Sequence, residues 1–162
     1  MAAAMNRPKV RRPSMSDAPR MAELGWLEWC ALPGLGIPQL QAKIDTGART
    51  SSLHAENLEI VDQGGRHVAK FLVRTGKGVY CCECPVKDER HVKSSSGHEE
   101  LRVVIETTCV IQNVRWAIEL TLTDRTAMRF PMLLGRRAMA GRFVVDPSRR
   151  YVCGKPKRKR RS

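Results

Sequence analysis

From Leu24 to Val152 the chain is a succession of short apolar or alternating runs, separated by Gly, Pro, Asn and Asp. A helix needs a sustained period of 3.6 residues, and only Arg136 to Ala140 hints at one. The runs at 25–32, 38–45, 52–61, 67–74, 78–84, 90–94, 101–111, 114–123 and 142–146 are therefore predicted strands. Trp116, Ile118, Leu120 and Leu122 form the cleanest period-2 face, with Glu119 and Thr121 pointing outward. Turn signals stand at Pro33-Gly34, Gly64-Gly65, Gly76-Lys77-Gly78, Ser94 to Gly97 and Gln112-Asn113. Many short strands at roughly 8–12-residue spacing predict an all-β barrel or sandwich.

The 162 residues suit one domain with a modest core. No apolar run approaches the 18 residues of a membrane span, so no membrane association is expected. Met1 to Arg20 lacks the apolar stretch of a secretory signal and is predicted to be a disordered basic arm, although a transit peptide has a similar composition. A cytoplasmic location follows as the expectation. Three segments result: the arm at 1–20, a folded domain at 21–153 and a basic tail at 154–162. Of the net charge of +13, the arm carries +4, and Lys155 to Arg161 add six basic residues without an acid. The high net charge thus belongs to two tails, and such tails favour polyanions such as RNA or a ribosome surface. With no secretion signal, the six cysteines are expected as free thiols. Adjacent Cys81 and Cys82 should face opposite sides of a strand.

One acid stands apart. Leu40-Gln41-Ala42-Lys43-Ile44 alternates straight into Asp45-Thr46-Gly47-Ala48, so a strand ends in a tight turn that presents a carboxylate. Asp also caps turns by accepting its own downstream N–H groups, which is the plain structural alternative. Some 85 residues later, Phe130-Pro131-Met132-Leu133-Leu134-Gly135-Arg136 is an apolar strand that ends at Gly-Arg and opens the short helix.

Together the two segments resemble the retropepsin class of aspartic peptidases. Further stretches at Arg49 to Ala55, Val92 to Ser95, Trp116 to Arg125 and Met128 to Arg136 make the chain similar to the RimB-type endopeptidases, often labelled "ATP-dependent zinc protease". The resemblance spans roughly 23–152. It implies a closed retropepsin-like β-barrel with one short helix, and a homodimer. For members linked to a ribosomal glutamate ligase, it implies cleavage of α-linked glutamate chains on a ribosomal protein. It also places Leu133, Leu134, Gly135 and Arg136 beneath the Asp45 loop as its structural support. Viral retropepsins carry an acid four residues after the catalytic Asp, paired with the Arg of Gly-Arg. Arg49 occupies that position here, so the ion pair is lost and the cleft should be more basic.

The zinc and ATP labels find no support in the residues. His98-Glu99-Glu100-Leu101-Arg102 has Arg where a zincin needs its second His, and Cys81-x-x-Cys84 has no partner motif. No Gly-x-x-x-x-Gly-Lys-Ser/Thr phosphate loop and no Gly-x-Ser-x-Gly elbow occurs. No metal or cofactor is expected. Dyad chemistry needs two carboxylates that share a proton, and Asp-Thr-Gly occurs once. Asp45, Thr46 and Gly47 are thus the expected catalytic residues of a twofold dimer with one cleft. Ala48, Arg49, Lys93 and Arg102 are expected to bind an acidic peptide or glutamylated protein, because Arg suits carboxylates. The stretch 66–97 is expected to supply a flap, with Tyr80 its one aromatic hydroxyl. A non-catalytic barrel that holds a ribosome or RNA through its tails is the alternative function.

Overall fold

The computed structural model describes residues 21–93, 97–124 and 129–155. The strands are β1 (Ala22–Leu24), β2 (Leu27–Leu32), β3 (Ile37–Asp45), β4 (Ser51–His54), β5 (Glu56–Gln63), β6 (Arg66–Thr75), β7 (Gly78–Pro85), β8 (Asp88–Lys93), β9 (Glu99–Ile111), β10 (Val114–Thr123), β11 (Met132–Gly135) and β12 (Phe143–Val145). One short helix, α1 (Arg136–Met139), stands between β11 and β12, where a helix was expected. The predicted arm at 1–20 and tail residues 156–162 lie outside the described residues.

Strand order β10-β4-β11-β3-β2-β9 closes on itself, because β9 also pairs with β10. The result is a closed six-stranded barrel, the all-β architecture expected from the sequence. The length of β9 makes closure possible. Its residues Val103–Ile111 pair with β10, Val110 meets β2, and Glu99–Val104 carry β8. Strands β5, β6 and β7 form a separate antiparallel sheet, and β1 pairs in parallel with β12.

The alternation seen in the sequence sorts most residues as predicted. Trp116, Ile118, Leu120 and Leu122 are buried and Glu119 is exposed, while Thr121, expected to point outward, is half-buried. Leu40, Leu53, Ile105, Leu120, Met132 and Leu134 are almost wholly buried in the core. Each large apolar side chain so placed contributes roughly 1.5–3 kcal/mol. All six cysteines are free; Cys81 is exposed and Cys82 buried, as strand geometry requires.

Two expected strands differ. The run 52–61 divides at Ala55, which is buried and donates its N–H to Thr123 O at 3.0 Å. The chain then leaves the barrel for the second sheet, through a bulge where Asn57 has φ +53°. Alternation on both sides of such a corner reads as one strand. The run 25–32 begins instead at Leu27, because Trp26 N donates to Arg149 O and Trp26 O accepts from Ile44 N, both at 2.8 Å.

The segment after β12 folds back over β2. Its anchor is Glu28, a fully buried carboxylate. Oε2 accepts from Gly25 N at 2.7 Å and Val152 N at 3.1 Å, and Oε1 accepts from Cys153 N at 3.0 Å. Trp29 stacks on Tyr151 with centroids 5.3 Å apart, and Gln41 Nε2 donates to Tyr151 Oη at 2.6 Å.

Candidate active site

Strands β3 and β4 follow one another in sequence but do not pair. Strand β11 is inserted between them, parallel to β3 and antiparallel to β4. The linker from Thr46 to Thr50 must therefore arch across the end of β11, where Gly135 lies beside Asp45. This insertion brings together the two motifs that the sequence holds far apart.

Asp45 Oδ1 accepts the N–H groups of Gly47 at 2.9 Å and Ala48 at 3.2 Å, so the acid does stabilise its own turn. Only one carboxylate oxygen is used in this way. Oδ2 takes no hydrogen bond among the described residues, and the side chain is half-buried at the loop surface. A Cβ on residue 47 would lie 3.2 Å from Oδ1, tighter than ordinary contact, so Gly47 lets the turn amides close on the carboxylate. Thr46 and Arg49 are exposed, and Ala48 is half-buried.

The start of α1 holds the loop from below. The first N–H groups of a helix have no partner within it. Here Arg136 N donates to Ala48 O at 2.8 Å and Arg137 N to Arg49 O at 3.2 Å. Gly135 N donates to the buried Ser51 Oγ at 2.9 Å. With Arg rather than an acid at position 49, the Arg136 guanidinium reaches backbone instead, donating from Nη1 to Gly47 O at 3.1 Å. Leu134 is fully buried and Leu133 partly so, beneath this junction. Ser51 is the supporting residue that sequence reasoning missed. Its place in the alternation, two residues before Leu53, marks it as inward-facing.

Gly135 is required for steric reasons. Its φ of −88° suits any residue, but an added Cβ would meet Thr50 O at 2.5 Å and Ala48 O at 2.9 Å. Both are backbone atoms of the arch. Gly135→Ala is expected to lower stability by about 3 kcal/mol in urea unfolding and to displace the Asp45 loop. Retained stability in that variant would show that the arch yields easily.

The other expected contact residues lie elsewhere. Arg102 faces Arg90 across the β8–β9 pair, while the strand registers place Glu106, not Arg102, in line with Asp45. Lys93 ends β8 opposite Glu99, and its side chain lies outside the described ones, as do residues 94–96. Within the expected flap stretch, the β6–β7 turn packs on the early part of β3, where Lys77 Nζ donates to Gln39 Oε1 at 3.1 Å. Tyr80 packs half-buried against the core. No described helix is long and apolar enough to cross a membrane.

Residues 23–156 match the RimB-like family, described as "Retropepsin-like aspartic endopeptidase RimB". Proteins named "Probable alpha-L-glutamate ligase" are similar over 135 residues. The one from Desulfotalea psychrophila is 43% identical, and that from Shewanella pealeana 42%. The match covers 81% of this chain but only 29% and 30% of those proteins, so this chain corresponds to less than a third of their length. The crystal structure of Lpg0085 from Legionella pneumophila, a protein of unknown function, is similar with a TM-score of 0.70 at 28% identity. That likeness covers 82% of this chain and 98% of the other.

Proposed function

The chain belongs to the RimB-like family of retropepsin-like aspartic endopeptidases, and we propose that it hydrolyses peptide bonds as a twofold dimer, with one Asp45 from each copy. The carrying observation is the Asp45 carboxylate itself. One oxygen is fixed by loop amides, the other has no partner among the described residues, and the whole loop is held to α1. Such an arrangement is half of a dyad. Two carboxylates about 3 Å apart cannot both ionise, so they share one proton. The ionised one takes a proton from a water held between them, and the protonated one polarises the scissile carbonyl. Water attacks that carbon, and the proton taken from it passes to the leaving nitrogen. The Arg136–Gly47 hydrogen bond and the helix amides keep the two loops in register with the axis.

The substrate class we propose is an acidic peptide, with poly-α-glutamate on a protein tail as its best representative. Arg49, Arg136 and Arg137 are all exposed at the loop, and a basic rim favours carboxylate-rich chains. The curated relatives support the same class from another side. They are named for glutamate ligation and are more than three times the length of the matched region. A hydrolase segment joined to a ligase would meet that ligase's product. The matched region is less than a third of those proteins, so their ligase name describes a much longer chain than this one. The substrate would be met in the cytoplasm.

Two measurements test the proposal together. Purified protein incubated with oligo-α-glutamate is expected to yield shorter oligomers by mass spectrometry, and sedimentation equilibrium is expected to give a dimer at the same concentration. A protein that is strictly monomeric while fully active would overturn the shared dyad.

A further inference from the structure

A cleft of about 340 Å³ opens between the β6–β7 turn and the faces of β2 and β3, away from the Asp45 loop. Its floor carries an unusual group. Gln39 Nε2 is buried and has no hydrogen-bond acceptor, although it lines the cleft. The amide cannot simply flip to relieve this, because Lys77 Nζ donates to Gln39 Oε1 at 3.1 Å and fixes the oxygen on its own side. A buried donor without an acceptor is costly, and such groups in folded proteins call for an explanation, a bound partner among them.

The charge around that donor is positive. Arg74 is matched by Glu56 at 3.3 Å, so the one acid among the lining residues is already spent. Lys77 and Arg129 remain without a carboxylate partner among the described residues; Arg129 rests over the Phe130 ring at 5.5 Å. Trp29 forms one wall, but its ring is engaged by Tyr151 at 5.3 Å and by Lys155 at 5.6 Å. It offers no open platform for a nucleobase, which single-stranded nucleic-acid sites need. An amide N–H beside cationic side chains is instead a planar, charge-assisted fit for a carboxylate. The cleft is also large enough for a side chain with its backbone.

We propose that this cleft is a second binding site, which holds a carboxylate side chain of an acidic polypeptide at a distance from the Asp45 loop. The bound carboxylate accepts from Gln39 Nε2 and lies against Lys77 and Arg129. Lys155, at the rim over Trp29, adds a further positive charge where the C-terminal tail begins. The site rests on the acidic-peptide reading given above and extends it: the protein would grip a carboxylate chain at two places, one for cleavage and one for hold.

Binding is best read in the full-length Asp45→Asn protein, which does not cleave under the proposed mechanism. Fluorescein-labelled hexa-α-glutamate is titrated by anisotropy, beside hexaglutamine and an oligouridine RNA. The expected result is saturable binding of hexaglutamate, none of hexaglutamine, and a Kd raised about tenfold by Gln39→Leu and by Lys77→Glu. Lys77→Glu lies on an exposed turn and serves as the check if Gln39→Leu unfolds; both variants are scored only with an unchanged circular dichroism spectrum. Unchanged Kd in folded variants would overturn the second site, and so would absence of hexaglutamate binding. Loss of RNA binding in both variants with peptide binding intact would overturn it in favour of a nucleic-acid groove. Because the readout needs no turnover, cleavage by wild type with unaffected binding in the variants would sink this site alone. Impaired binding in the variants with no wild-type cleavage would sink the hydrolase proposal alone.

Discussion

Replacing Asp45 by Asn is expected to lower kcat for the proposed hydrolysis of oligo-α-glutamate by at least about 10³-fold and to leave the barrel folded. The loop should survive because Asn retains an Oδ1 acceptor for the Gly47 and Ala48 N–H groups that Asp45 binds at 2.9 and 3.2 Å. What is lost is the ability to ionise and take a proton from water. A sharper form of the experiment mixes wild type with the Asn variant under conditions of subunit exchange. If each cleft needs one carboxylate from each chain, activity falls as the square of the wild-type fraction. A linear fall would mean that each chain works alone, and the shared dyad would be wrong.

The largest effect on stability is expected at Glu28, far from that chemistry. Glu28→Ala leaves the buried N–H groups of Gly25 and Cys153 and the partly buried N–H of Val152 without their acceptor. Unsatisfied buried donors cost about 1–3 kcal/mol each, and relaxation recovers part of it, so a loss of about 3–5 kcal/mol is expected. For a chain of this size that lowers Tm by on the order of 10 °C. Glu28→Gln keeps one accepting oxygen and should fall between the two, its new amide N–H groups facing a donor. Thermal unfolding of the three proteins gives the comparison. A Glu28→Ala variant as stable as wild type would show that the C-terminal segment is not held by this carboxylate.

The barrel was legible from period-2 patterning because most strands keep one face inward along their whole length. Trp116 to Leu122 shows this directly. Strand order was not legible, since nothing local to Met132–Gly135 says that it enters between β3 and β4. The Asp45 loop and the Leu-Leu-Gly-Arg segment could be linked from the sequence only through their resemblance to a known arrangement. The placement of Arg102 and Lys93 depends on register across β8 and β9, which composition does not carry. Glu28 left a trace that is easy to pass over. It shares parity with Cys30 and Leu32, both buried, so the alternation already put an acid on the inner face. A charged residue at an inward position is a signal of a hydrogen-bonded anchor, and here it marked the point where the end of the chain returns.

The insertion of β11 between β3 and β4 also imposes an order of events. Arg136 and Gly47, joined by a hydrogen bond, are 89 residues apart in sequence. Contacts of such separation close a long loop and form late compared with local hairpins such as β6–β7. During synthesis the acid and its turn amides emerge early, but the α1 amides and Gly135 that hold the loop arrive only near the end of the domain. A nascent chain therefore carries the carboxylate for most of its translation without carrying the site, and the geometry is assembled only once nearly all of the barrel is there to hold it.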